Sequence, residues 1–422
     1  MNKKFFSGNR FRLVDGLIDE KCMIVLSSGY EISRSADENY EFQVNNNFFY
    51  LTGIKQPNVH LILLKDKKEY TELLYIDEYN EMYEKWLGHR LNKKEASTQS
   101  GIYNSNIQYI NEFEKDFENY LNQYSIVYLD LETNNNLHHH SFGLSLASTL
   151  ASEYPKNEIK NIYNTIIKLR LSKQPCEIKA LKKAISITKL GIENLMKNAK
   201  PNQYEYQLEA YYDFVLKQNG NKEHSFKTIA ASGKNATILH YSANDSFIHE
   251  NDLILFDLGC KENGYCSDIT RTFPINGQFN LLQKKIYNIV LKANKEIIKQ
   301  AHAGMTLKEL QDICMDVLAK GCLKAKLIKN KDEISKYYYH GVSHSIGLDT
   351  HDPYLREMPL PINAIISNEP GLYFPEYKIG IRIEDDLLLK ENHAVNLSKS
   401  IIKSIKQIEK YMNKKENMEE RK

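Results

Sequence analysis

Leu253-Ile254-Leu255-Phe256-Asp257-Leu258-Gly259-Cys260-Lys261-Glu262-Asn263-Gly264-Tyr265-Cys266-Ser267-Asp268-Ile269-Thr270-Arg271 reads as a strand, a turn and a returning strand. The run from Leu253 is apolar until Asp257, Lys261 to Gly264 is turn chemistry, and Tyr265 to Arg271 is the expected hairpin partner. Side chains alternate faces along a strand, so Leu253, Leu255 and Asp257 share one face. Asp257 is thus expected among apolar side chains, with Asp268 on the neighbouring strand. An isolated charge is very costly to bury, so these carboxylates need a partner.

Two more acids follow in similar settings, Glu369 after Ile365-Ile366-Ser367-Asn368 and Glu384 after Gly380-Ile381-Arg382-Ile383. Between the pairs lies Tyr339 to Asp352, a glycine-punctuated segment with His340, His344 and His351. Four carboxylates converging alone would raise one another's pKa, whereas two divalent cations would balance them. An oxygen-rich set with one imidazole suits manganese, and cobalt, iron or zinc can also occupy it. Two such ions roughly 3.5 to 4 Å apart can share a hydroxide and polarise a peptide carbonyl together. The chemistry expected is metal-assisted hydrolysis.

The rest of the chain sets the frame. With 422 residues it exceeds one ordinary core, so two domains are expected, 1–160 and 161–422. The first alternates strand-like runs (Met23 to Leu26, His60 to Leu64, Ser125 to Leu129) with charged helical segments, an α/β pattern. Helical periodicity is read from near Asn157, and Pro175 opens a long amphipathic helix to about Met196. Helices over Phe279 to Ala301 and Thr306 to Lys324 mix with strands in the second domain, an α+β pattern.

Glu132 to His140 is a polar stretch with three histidines, read as an exposed loop outside the site. Lys414 to Lys422 is mostly charge and reads as a frayed end. A net charge of +2 gives no field for nucleic acid or a membrane surface, and no apolar run suits a signal peptide or a spanning helix. A cytoplasmic protein is expected. Six cysteines without Cys-x-x-Cys spacing read as buried free thiols.

Taken in order, Phe256-Asp257-Leu258-Gly259, Ser267 to Pro274, His340 to Asp352, Glu369-Pro370-Gly371-Leu372-Tyr373 and Gly380 to Asp385 resemble the pita-bread (creatinase/aminopeptidase-like) metallopeptidases, most closely their aminopeptidase P branch. The resemblance implies a pita-bread catalytic domain with Asp257, Asp268, His344, Glu369 and Glu384 as ligands of two metals. It makes His240 and His351 metal-free histidines that hydrogen-bond substrate and assist proton movement. It places His340, Tyr373 and Arg382 around the substrate, Arg382 sharing a strand face with Glu384.

The first domain resembles the same branch in Asn47 to Gly53 and Glu81 to Leu91. There the resemblance implies that Trp86, the only tryptophan, reaches the site of a neighbouring subunit in a homodimer or homotetramer. Asn363 stands where relatives usually carry a glycine turn, and the segment from His351 to Glu369, which includes Arg356, is a few residues shorter.

The implied substrates are peptides with proline in second position. The bond before proline is a tertiary amide without an N–H, so its leaving secondary amine must be protonated while the ring is held. A prolidase acting on dipeptides is the nearest rival, and the Trp86 segment favours the aminopeptidase. A non-catalytic or metal-free pita-bread protein would ordinarily lack ligands that are all present here. Methionine aminopeptidase usually lacks so large a first domain.

Overall fold

A computed structural model of the chain describes residues 1–132, 141–221, 223–355 and 357–413. The histidine-bearing stretch from 133, Arg356 and the charged end from 414 lie outside the described residues. The chain divides into two compact units, Met1–Arg170 and Leu171–Lys422.

That division falls later than the expected break near 160, for a local reason. Residues from Asn157 do not begin a helix. Glu158–Asn161 is a strand that pairs in parallel with Ile126–Leu129. The helix Tyr163–Leu171 that follows is tied to the same unit: the Tyr50 hydroxyl donates to the Leu169 carbonyl at 3.2 Å, and Arg170 donates to the Asn47 side chain at 2.6 Å.

In the first unit β1 (Lys21–Ser27), β2 (His60–Asp66), β3 (Glu69–Ile76), β4 (Ile107–Tyr109), β5 (Ile126–Leu129) and β6 (Glu158–Asn161) form one mixed sheet in the order β4-β3-β2-β1-β5-β6. Buried Met23, Val25, Ile62, Val127 and Leu129 pack with Phe113, Phe117 and Leu150 from flanking helices. This is an α/β layer arrangement. The helix Glu81–Leu87, capped by Asn80, buries none of its residues.

In the second unit every described strand pairing is antiparallel, and long helices cover the sheets, as expected of an α+β domain. The helix α1 (Pro175–Asn198) starts with proline at its first turn and a capping box between Gln174 and Glu177. The helices α2 (Glu205–Gln218), α3 (Leu281–Gln300) and α4 (Leu307–Lys324) follow. Strand and helix side chains meet in one continuous core that includes Leu195, Phe256, Phe273, Val290, Leu318 and Leu387. Five of the six cysteines are buried and all are free.

Strand β7 (Ile229–Ser232) and strand β9 (Ile269–Pro274) flank β8 (Leu253–Leu258). The expected hairpin is interrupted: Tyr265–Cys266 pairs with Lys261–Glu262 as a separate ribbon, and only from Ile269 does the chain pair with β8. Gly259 makes the break possible, because a methyl there would come within 1.8 Å of the Ser267 carbonyl oxygen. Asn363 sits at a turn where the family resemblance leads one to expect glycine. Its φ of 66° is left-handed, a conformation asparagine tolerates, and Lys390 donates to its side-chain oxygen at 2.7 Å.

Candidate metal centre

The acids are delivered by breaks in sheets. Asp257 is near the end of β8, opposite Thr270 of β9, and Asp268 stands just before β9. Further on, β10 (Ile365–Asn368) pairs with β13 (Asp385–Leu389), and β11 (Gly371–Phe374) pairs with β12 (Ile379–Arg382). Glu369 lies between β10 and β11, and Glu384 between β12 and β13, so one long ribbon breaks on both strands at the same level. At the break the Glu369 N–H donates to the Val342 carbonyl at 2.9 Å and the Glu384 N–H to that of Thr270 at 3.1 Å. Released from the ladder, both carboxylates turn inward.

His344 is set by reciprocal bonds with Ser367: its N–H donates to the Ser367 hydroxyl, and the Ser367 N–H donates to its carbonyl, each at 2.9 Å. Its Nε2 lies 3.4 Å from Asp268 Oδ2 and 3.3 Å from Glu369 Oε1. Three overlapping groups each place their ligand atoms within 4.8 Å of one another: Asp257, Asp268 and Glu384; His344, Glu369 and Glu384; and Asp268, His344 and His351. All five expected ligands therefore meet, and His351 stands at their edge.

The electrostatics of this cluster call for cations. Burial, then the charges of Glu384, Asp257, Asp386 and Glu369, holds the Asp268 carboxyl well above the usual range. Burial raises Glu369 to about 8, and burial with the charges of Glu369 and Asp257 holds Glu384 well above the usual carboxylate range. Burial, with His351 beside it, lowers His344 to about 4, leaving the neutral imidazole that a metal requires. Asp257 Oδ1 and Asp268 Oδ1 are buried without a hydrogen-bond donor among the described residues. Buried oxygens in that state fit a metal.

A second layer orders the first. The Thr270 hydroxyl donates to Glu384 Oε2 at 2.7 Å and accepts from Arg382 Nε at 3.0 Å. Arg382 was expected on a strand face shared with Glu384, but the chain leaves β12 between them, and it is Thr270 that joins the two. Arg382 also donates to Asp257 Oδ2 at 2.6 Å and to the Tyr373 hydroxyl at 3.1 Å. His340 Nδ1 must donate to the Gly341 carbonyl at 2.8 Å, so Nε2 accepts from the Tyr373 hydroxyl at 2.8 Å. Burial holds His340 at about 4, in keeping with a neutral ring.

Above the cluster opens a cavity of about 680 Å³. Asp257, Asp268, His344, Glu369 and Glu384 line it together with His240, His340, His351 and Arg382, while Phe226, Ile229 and Leu239 make it partly apolar. Tyr373 is fully buried and meets the site through His340 and Arg382. Trp86 belongs to the first unit, where it is 81% exposed.

Sequence reasoning missed several supports. Thr270 is an uncharged residue that nothing in its motif marks as a support. Lys173, at the start of the second unit, donates to Asp352 beside His351 at 2.9 Å with both side chains 1% exposed. Arg271 and Lys403 converge on buried Asp385, next to Glu384. Lys403 had no motif to mark it, since only the fold brings it to Asp385.

Residues 179–391 match the model of metallopeptidase family M24, and residues 6–128 match the aminopeptidase P N-terminal domain. The chain is 33% identical to a Haemophilus influenzae Xaa-Pro aminopeptidase over 92% of its own length and 93% of that protein's. It is 30% identical to the Escherichia coli K12 Xaa-Pro aminopeptidase over 98% of both. A Bacillus anthracis structure described as an aminopeptidase P superposes with a TM-score of 0.95 at 44% identity, covering 98% of this chain and 99% of that one. Zinc-substituted E. coli aminopeptidase P in complex with product gives 0.89 at 28% identity, covering 98% of each. The chain belongs to metallopeptidase family M24, in the Xaa-Pro aminopeptidase group, and carries an aminopeptidase P amino-terminal domain.

Proposed function

We propose that the chain removes the first residue from peptides whose second residue is proline, with two divalent cations, manganese by preference, held by Asp257, Asp268, His344, Glu369 and Glu384. The observation that carries this reading is the convergence of those five side chains on one partly apolar cavity. Bound there, the cations would cancel the carboxylate charge, act as Lewis acids toward the scissile carbonyl and acidify a water.

The remaining work falls to the chain's own groups. His240 and His351 line the cavity and are assigned to hydrogen-bond the substrate and carry a proton to the leaving nitrogen, which as a proline nitrogen arrives without one. Arg382 holds Asp257 and Tyr373, and Tyr373 holds His340, so these residues form one connected wall suited to seating the ring. Homodimers or homotetramers, with Trp86 reaching a neighbouring copy's site, and a cytoplasmic location belong to the same reading. Among the described residues no helix is long and apolar enough to cross a membrane.

The test compares an Xaa-Pro-Yaa peptide with a free Xaa-Pro dipeptide, using chelator-treated protein before and after added manganese. Cleavage of the longer peptide only after manganese is expected. Full activity of the metal-free protein would sink the metal assignment, and cleavage of the dipeptide alone would make the chain a prolidase.

A further inference from the structure

His240 stands on a wall with little regular structure of its own. After β7 the chain makes one short 3-10 turn, Gly233–Thr237, and then runs without strand or helix until Phe247 bridges to Tyr204. Leu239, His240 and Ser242 of this wall line the cavity. A stretch so poor in ladder bonds needs other anchors to hold a side chain in place.

One buried residue supplies most of them. Glu205, the first residue of α2, is fully buried. Its Oε1 accepts from the Ser232 N–H at 2.7 Å, the Ser232 hydroxyl at 2.7 Å and the Asn235 side chain at 3.1 Å. Its Oε2 accepts from the Tyr241 hydroxyl at 2.8 Å and the Ser246 N–H at 3.0 Å. Five donors thus converge on one carboxylate, from both ends of the wall and from the residue next to His240. An ionised carboxylate can accept all five; an amide cannot, because its nitrogen would face donors. The helix N-terminus favours that negative charge.

We infer that Glu205 is a positioning residue for the reaction: it fixes the wall that presents His240, touching neither the ligand cluster nor the cavity. The inference rests on the proposed peptidase reading, and its test separates the two. Wild-type protein with manganese is first assayed on an Xaa-Pro-Yaa peptide; failure there rejects the peptidase reading, and hydrogen exchange alone then judges the anchor.

In Glu205→Gln, amide exchange across residues 232–246 should quicken by roughly 10- to 100-fold, the scale of a lost charge-assisted hydrogen bond. Manganese affinity, measured by titration calorimetry, should stay unchanged while kcat/KM falls at least about tenfold. Adding Glu205→Gln to His240→Ala should lower kcat/KM no further, since both act through one imidazole. Unchanged exchange, a parallel loss of manganese affinity, or additive losses with His240→Ala would each overturn the inference. Tyr241→Phe, which removes a single donor, decides by the same criteria at smaller amplitude if Glu205→Gln does not fold.

Discussion

Glu384 has a narrow tolerance. Its Oε2 already accepts from Thr270, and its charge is one that bound cations would need. Glu384→Gln should keep the fold but weaken manganese binding by at least the roughly 10- to 100-fold typical of lesser changes at metal sites. Metal content after dialysis and kcat should fall together; wild-type values of both would show that Glu384 is not a ligand.

His60, in the first unit, makes a different prediction. It is sandwiched against Phe142 and Phe113 at ring distances of 4.8 and 4.5 Å, and burial lowers its pKa to about 4. A base depressed in the fold binds a proton more readily when unfolded. The first unit should therefore keep full stability above about pH 6.5 and lose roughly 3 kcal/mol as pH falls toward 4. Denaturant midpoints at pH 7 and 4.5 measure the loss, and His60→Phe should flatten it. At this scale the four candidate carboxylates stood out in the sequence because a charge inside an apolar run is conspicuous, whereas His344 was distinguished from its neighbouring histidines only by the family resemblance. Thr270, Lys173 and Glu205 were not, because an ordinary polar residue gains meaning only from partners far away in sequence.

At the scale of elements, the site exists because strands stop. The paired breaks at Glu369 and Glu384 turn two ladder positions into candidate ligand positions, and Gly259 lets Asp268 arrive ahead of its strand. Strands and long helices were legible from periodicity and caps. The breaks were not: an uninterrupted hairpin and a helix from Asn157 both fit local pattern, and long-range pairing overrode them. Close backbone approach offers a test. A methyl on Gly380 of β12 would come within 1.9 Å of the Ala236 carbonyl oxygen, in the 3-10 turn of the His240 wall. Gly380→Ala should destabilise the second unit by roughly 1 to 3 kcal/mol and lower kcat/KM as the wall shifts. Wild-type melting and kinetics would show that the two segments do not constrain each other.

For the molecule as a whole, two cores imply two responses. Manganese at a hundred times its dissociation constant should stabilise the unit that binds it by about 2.7 kcal/mol. Calorimetry should show the transition of Leu171–Lys422 rising with manganese while that of Met1–Arg170 stays put. A shift of both transitions would mean that the units unfold as one. The two-unit plan was legible from length and pattern; the position of the division was not, because the helix Tyr163–Leu171 takes its allegiance from Tyr50 and Asn47, more than a hundred residues earlier.

The bare helix Glu81–Leu87 gives the protein a built-in lamp. Its indole, the only one in the chain, stands in water, so fluorescence excited near the red edge of protein absorption comes from this one spot without background. Emission should be red-shifted and readily quenched by iodide in dilute solution. If copies assemble over Trp86, the colour should move to the blue as concentration rises, and the midpoint of that change reads the strength of assembly directly.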